Sequence, residues 1–172
     1  LSCSRESLSA ASQLVDYLSN KLPESSGNIF DLGVDPLGEL LSNSLEISDF
    51  ESYLAGGAEL AGEVSNNFTK ATTFRINGLE YAQLGADTVT EIAGVLSTVV
   101  VYLRAMERAG IGMEVALKQC LIIVSVGTDQ FLDIAKLRAL RLLLMNIGKA
   151  CGVESFQIKI QALLLNEREQ AF

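Results

Sequence analysis

The side chains in this sequence able to do chemistry are carboxylates, lysines, tyrosines and three thiols, because the 172 residues include no histidine. That absence removes Ser-His-Asp and Cys-His catalysis, imidazole-ligated metals and any imidazole acid or base. Glu80, two residues past Gly78, would serve as an acid or base if it faced the mouth of a sheet. No second pocket carboxylate is assigned by spacing to work with it, so it reads as a solvated loop glutamate before it reads as catalytic. Asp87 and Asp129 each stand just ahead of a helical stretch, where the positive end of the helix favours an anion, and they read as first-turn stabilisers. Lys136, Arg138 and Arg141 alternate with core positions and form no basic stripe, which makes them a solvated face or interface ion pairs. The stretch INGLEYAQLGAD holds neither G-x-G-x-x-G nor G-x-x-x-x-G-K-[ST], so no phosphate cradle is indicated. By spacing alone no catalytic, cofactor-binding or metal-ligating residue is assigned.

The cysteines, Cys3, Cys120 and Cys151, are odd in number and lack a C-x-x-C pair, which argues against both a disulfide framework and a zinc site. Cys120 opens an apolar run and Cys151 ends a helical one, so both are read as buried structural thiols in a reducing cytosol.

The elements that would position these groups follow from periodicity. Residues 8–22 put Leu8, Ala11, Leu14, Val15, Leu18 and Leu22 on one helical stripe that Pro23 closes. Residues 23–41 are dense in turn formers and read as an ordered connection. Ser48 is a plausible cap for a helix through about residue 64, with Ile47, Phe50, Leu54, Ala58, Ala61 and Val64 on one side, although Gly56 and Gly57 weaken it. Alternation over residues 72–76 predicts a strand ending at Asn77 and Gly78. A long helix is predicted over 87–109, where Val89, Ile92, Ala93, Leu96, Val99, Val100, Leu103 and Met106 recur at helical spacing. Residues 120–126 read as a strand covered on both faces, 129–151 as a second long helix and 156–160 as a third strand.

Strand, helix, strand, helix, strand makes this an α/β chain with parallel strands, read as a single domain over 1–172. Three strands cannot close, so the fold is either part of a larger (β/α)8 TIM-type barrel or a small open sheet. In such a fold the functional face is the C-terminal ends of the strands, here residues 77–87, 125–129 and those after 160. With 13 basic and 21 acidic residues the chain carries a net charge of −8, which disfavours nucleic acid and anionic lipid as partners. In the second half the longest charge-free stretch, residues 92–103, is short of the roughly 20 residues a membrane span needs. A soluble, cytoplasmic protein is expected. The chain opens at Leu1 with no basic-then-apolar leader, compatible with a processed or excised fragment.

Three strings carry a family resemblance. FRINGLEYAQLGADTVTEIAGVLSTVVVYLRAMERAG is similar to a strand ending in Ser-Gly-Tyr-His, an alanine-glycine-alanine turn and a long helix in the methylmalonyl-CoA mutase family. VGTDQFLDIAKLRALRLLL resembles that family's IAKxRAxR helix, and GVDPLGEL resembles the Asp-Pro-Leu-Gly segment of its small, non-catalytic subunits. The resemblance spans roughly residues 32–160. It implies a (β/α)8 barrel that supports a catalytic large subunit in a heterodimer, with adenosylcobalamin in the holoenzyme bound by that partner and none on this chain.

The family's catalytic pattern has adjacent Tyr and His where Leu79 and Glu80 stand, and Arg and Ser where Gln119 and Leu121 stand. A chain without histidine also lacks the Asp-x-His-x-x-Gly lower cobalt ligand. The resemblance therefore implies that the partner interconverts methylmalonyl-CoA and succinyl-CoA while this chain contributes structure only. Two other readings stay open: an active acyl-CoA mutase barrel using Glu80 or Asp129, and a stand-alone α/β interaction module.

Overall fold

In a computed structural model, residues 5–21, 29–42 and 45–164 are described. Four parallel strands lie side by side in chain order: β1 Asp31–Val34, β2 Thr72–Asn77, β3 Cys120–Val126 and β4 Lys159–Leu164. Four long helices, α1 Arg5–Lys21, α3 Ile47–Asn67, α5 Thr88–Arg108 and α7 Gln130–Ala150, alternate with them, and short helices α2 Pro36–Leu41, α4 Gly78–Gln83 and α6 Met113–Lys118 bridge the ends. The architecture is α/β, a parallel sheet alternating with helices as in part of a (β/α) barrel, and the sheet is not closed.

Strand alternation divides the side chains of the sheet between two faces. Phe74, Ile76, Ile122 and Val124 point to the helix-covered face and are fully buried there with Val99, Tyr102, Met106, Leu140 and Leu144. Burying each such side chain stabilises the fold by about 1.5–3 kcal/mol before entropy is counted. Phe74 stacks on Tyr102 with ring centroids 4.6 Å apart. On the opposite face Arg75 holds Asp31, its Nε donating to Oδ2 at 2.7 Å.

Several expectations need correction. Among the described residues there are four strands, not three, because β1 lies within the stretch read as a connection. It is four residues long, Gly33 takes a positive φ of 74°, and its pairing to β2 is irregular, so local pattern does not announce it. It is a strand because Asp31 and Val34 pair with Thr72 and Phe74. The last strand starts at Lys159, three residues after the start of its alternation, because pairing of Leu121 with Lys159 sets the register. Phe156, the first residue of that alternation, packs instead beside Gly148 of α7.

Helix α3 begins at Ile47 after Glu46, and no side chain caps it; Ser48 is inside the helix. Ile47, placed on its apolar side, is 81% exposed, while Leu54, Ala58, Ala61 and Val64 are buried as the stripe requires. On α5, Ile92, Val99, Leu103 and Met106 are buried as expected, but the buried face is shifted: Val89 is 74% exposed, and Val95, Thr98, Tyr102 and Ala105 are inside. Helix α5 is long and apolar enough to cross a membrane, and in this fold its buried face packs into the core beside the sheet. Leu22 and Pro23, the expected end of the first helix, lie outside the described residues.

Cys120 is buried and burial pushes its thiol up to about 12, in keeping with a structural role. Cys151 is exposed at the C-terminal cap of α7, contrary to expectation, because the helix ends there and turns its last residue outward. Cys3 lies outside the described residues. In a Cys3→Ser background, Cys151 is expected to react with a thiol reagent as a free thiol does, and Cys120 only as fast as the chain unfolds. Equal rates would contradict this packing.

Candidate functional site

The C-terminal ends of β1, β2 and β3 hold the polar side chains with the most elaborate bonding. At β1, Asp35 stands between the strand and α2 and caps that helix, accepting from the Gly38 amide at 3.1 Å. The same oxygen, Oδ1, accepts from the Tyr102 hydroxyl of α5, and the other, Oδ2, accepts from the Asn77 amide at 3.2 Å. Tyr102 in turn accepts from the Leu37 amide at 2.9 Å. Burial, aided by the nearby charge of Glu80, pushes the Asp35 carboxyl up to about 6 against the pull of these hydrogen bonds. Burial also raises Tyr102 well above the usual phenol range. Next to it on α2, Glu39 accepts from Tyr53 at 2.8 Å; burial raises its pKa too.

Glu80 lies in the first turn of α4 and accepts from the Asn77 side chain at 3.0 Å. It is thus tied to the end of its own strand. Asp87 and Asp129 are caps, accepting from the Thr90 amide at 2.7 Å and the Leu132 amide at 3.1 Å. The structure therefore uses both aspartates as helix stabilisers, and Asp87, fully exposed, is held below the usual carboxylate range by its bonds to Thr90.

A second cluster closes the end of β3. Lys136, expected on a solvated face or in an interface ion pair, is 3% exposed and donates to Glu91 Oε2 at 2.5 Å, to the Ser125 carbonyl at 2.7 Å and to Ser125 Oγ at 2.8 Å. Glu91, itself 1% exposed, accepts from the Ser125 amide at 2.9 Å and from its hydroxyl at 2.6 Å. The pair joins α5 to α7 across the strand between them. Arg138 and Arg141 on the same helix are exposed, as a solvated face requires.

A lysine 2.8 Å from a serine hydroxyl resembles a nucleophile with its base, but Ser125 donates its proton toward Glu91 and the ammonium is committed to the same carboxylate. The arrangement locks three elements together and offers no open face to a substrate. A signal for it existed in the sequence: Lys136, Leu140, Leu144 and Gly148 recur every four residues, so a cation stood in an apolar stripe. For Asp35 no local signal existed, since Asp-Pro reads first as a turn.

Gly78 lets this cluster close. A Cβ there would come 2.6 Å from the Ile123 carbonyl and 3.0 Å from Glu91 Oε1. Gly78→Ala is expected to destabilise the protein by about 1–3 kcal/mol by forcing α4 off the sheet. A urea midpoint unchanged from the parent would show that the contact relaxes freely. Gln119, one of the positions departing from the resemblance, accepts from Thr73 Oγ1 at 2.9 Å and is buried at the start of β3; Leu121 is half-buried beside Arg75.

Comparison with known proteins adds a family to this geometry. The methylmalonyl-CoA mutase family model matches residues 21–162. The methylmalonyl-CoA mutase small subunit of Streptomyces virginiae is 35% identical over 122 residues, 71% of this chain and 19% of the relative. A probable methylmalonyl-CoA mutase small subunit of Mycobacterium bovis is 33% identical over 122 residues, 71% of this chain and 19% of the relative. The large subunit from Porphyromonas gingivalis is 30% identical over 135 residues, 78% of this chain and 18% of the relative. The chain spans about a fifth of the length of the relatives it matches.

Proposed function

The chain belongs to the methylmalonyl-CoA mutase family, and from that premise we propose that it is a structural part of a small, non-catalytic subunit. Its work is to support a catalytic large subunit that interconverts methylmalonyl-CoA and succinyl-CoA in the cytoplasm. The observation that carries this reading is the end of β2. The two positions after Gly78, which resemble the family's adjacent Tyr and His, hold Leu79 and Glu80, and Glu80 is bonded to Asn77 of its own strand. Neither an aromatic wedge nor an imidazole donor to a thioester carbonyl is available there.

The remaining polar groups at the ends of the strands support the same reading. Asp35, Glu91, Ser125 and Lys136 are buried and bonded to one another or to backbone, so they hold loops in place. Adenosylcobalamin does not fit the residues present. The 172 residues hold no histidine to ligate cobalt from below. We assign the cofactor and the catalytic groups to the partner. Support of that kind acts by mass action, because a partner that binds only the folded state shifts the folding equilibrium.

Co-expression of the natural protein containing this chain with a cobalamin-binding mutase subunit tests the proposal. A stable complex is expected, together with no heat on titrating adenosylcobalamin or methylmalonyl-CoA into this subunit alone. Saturable binding of either compound by the isolated subunit would overturn it and favour an active mutase barrel. Absence of any complex with the mutase subunit would favour a stand-alone module.

A further inference from the structure

The opposite end of the sheet carries a different chemistry. A cavity of about 610 Å³ lies beneath the starts of β3 and β4, and four elements bring cations to its lining: Lys70 before β2, Lys118 at the end of α6, Arg141 on α7 and Lys159 at the start of β4. No carboxylate lines it among the described residues. In a chain where acids outnumber bases 21 to 13, four cations around one cavity are a marked segregation of charge.

Little neutralises them from nearby. Lys118 shares its charge with Glu114 at 2.7 Å on the exposed side of α6. Lys159 donates to the Lys70 carbonyl at 2.5 Å, which supplies a dipole but no counter-charge; burial lowers its pKa, with Asp31 opposing. An anion entering the cavity would accept charge-assisted hydrogen bonds from them.

The wall is apolar. Leu144 and Phe156 line it, and so does Ile160, which pairs with the fully buried Ile122 and therefore faces the helices. Ile160 thus puts the cavity on the helix-covered side of the sheet, while Lys159, paired with Leu121 beside Arg75, points to the other face, toward Asp31.

We propose that this cavity binds a small phosphate-type anion bearing an apolar group, with Lys70, Lys118 and Arg141 holding the anion and Leu144 and Phe156 the apolar part. The site shares no residue with the Asp35 and Lys136 clusters and stands whether or not the mutase-subunit reading does.

Calorimetric titration of the intact chain with inorganic phosphate and with phenyl phosphate tests it. Saturable binding of both is expected, with phenyl phosphate the tighter, and Arg141→Gln should weaken each about tenfold by removing one charge-assisted contact. Lys118→Gln, at a side chain about half exposed, should weaken both in the same direction and guards against a failure of Arg141→Gln to fold. Absence of saturable binding, or equal affinity in the parent and both variants, would overturn the site. Phenyl phosphate binding no tighter than phosphate would overturn the apolar half of the proposal.

Discussion

Lys136→Met is expected to cost the folded protein about 3–5 kcal/mol, the largest single effect among the substitutions considered. Methionine keeps most of the length and apolar volume of the lysine, so little packing is lost. What remains is Glu91, 1% exposed, with no cation beside it. Removing one partner from a buried pair leaves an uncompensated charge in a medium that solvates it poorly, and the penalty exceeds what the pair contributed.

The same logic makes the paired variant informative. In Lys136→Met/Glu91→Gln no charge is buried, and the amide oxygen still accepts from the Ser125 N–H that Glu91 Oε1 accepts from now. The double variant should therefore lose much less than the sum of the two single losses. Urea unfolding with an unchanged slope and a shifted midpoint is the measurement. A Lys136→Met loss under about 1 kcal/mol would mean that water reaches the pair and that the lock between α5 and α7 is not real.

The second large effect is a dependence of stability on pH centred on Asp35. Its carboxyl is raised from 3.8 to about 6 in the folded protein, chiefly by burial. Between those values the folded state holds a proton that the unfolded state has released, so stability falls as pH rises. The contribution is complete below about pH 4 and gone above about pH 6, and a shift of that size corresponds to roughly 3 kcal/mol. Glu39, also raised by burial, acts in the same direction. Asp87 and Glu114 are lowered by hydrogen bonds and act in the opposite direction, losing stability as pH falls, but both are fully exposed.

Asp35→Asn separates these contributions. Asparagine keeps an oxygen to accept from the Gly38 amide and Tyr102 while removing the titration. The difference in unfolding free energy between parent and variant should change by roughly 3 kcal/mol from pH 4 to pH 7, with the variant gaining on the parent as pH rises. A difference independent of pH would show that Asp35 is solvated in the folded state.

Much of the scaffold was legible because its signals are local. Helix periodicity over α5 and α7 depends on side chains three and four residues apart, and the caps at Asp87 and Asp129 act on amides three residues away. The run that became β3 announced itself by unbroken apolar, β-branched residues. The family resemblance rested on strings of the same short range, GVDPLGEL and the IAKxRAxR helix among them.

What only the tertiary structure decided concerns partners far apart in the chain. Asp31 and Val34 form a strand because β2 is beside them about 40 residues later, and Lys159 begins β4 because Leu121 is its neighbour. Lys136 left the solvated face or interface expected of it because Glu91, 45 residues earlier, gives it a buried counter-charge. Asp35 became a buried acid because Tyr102 and Asn77 close over it. In each case the residue's own neighbours in sequence support the opposite reading. The outcome turns on desolvation and pairing, which exist only once distant elements have packed together.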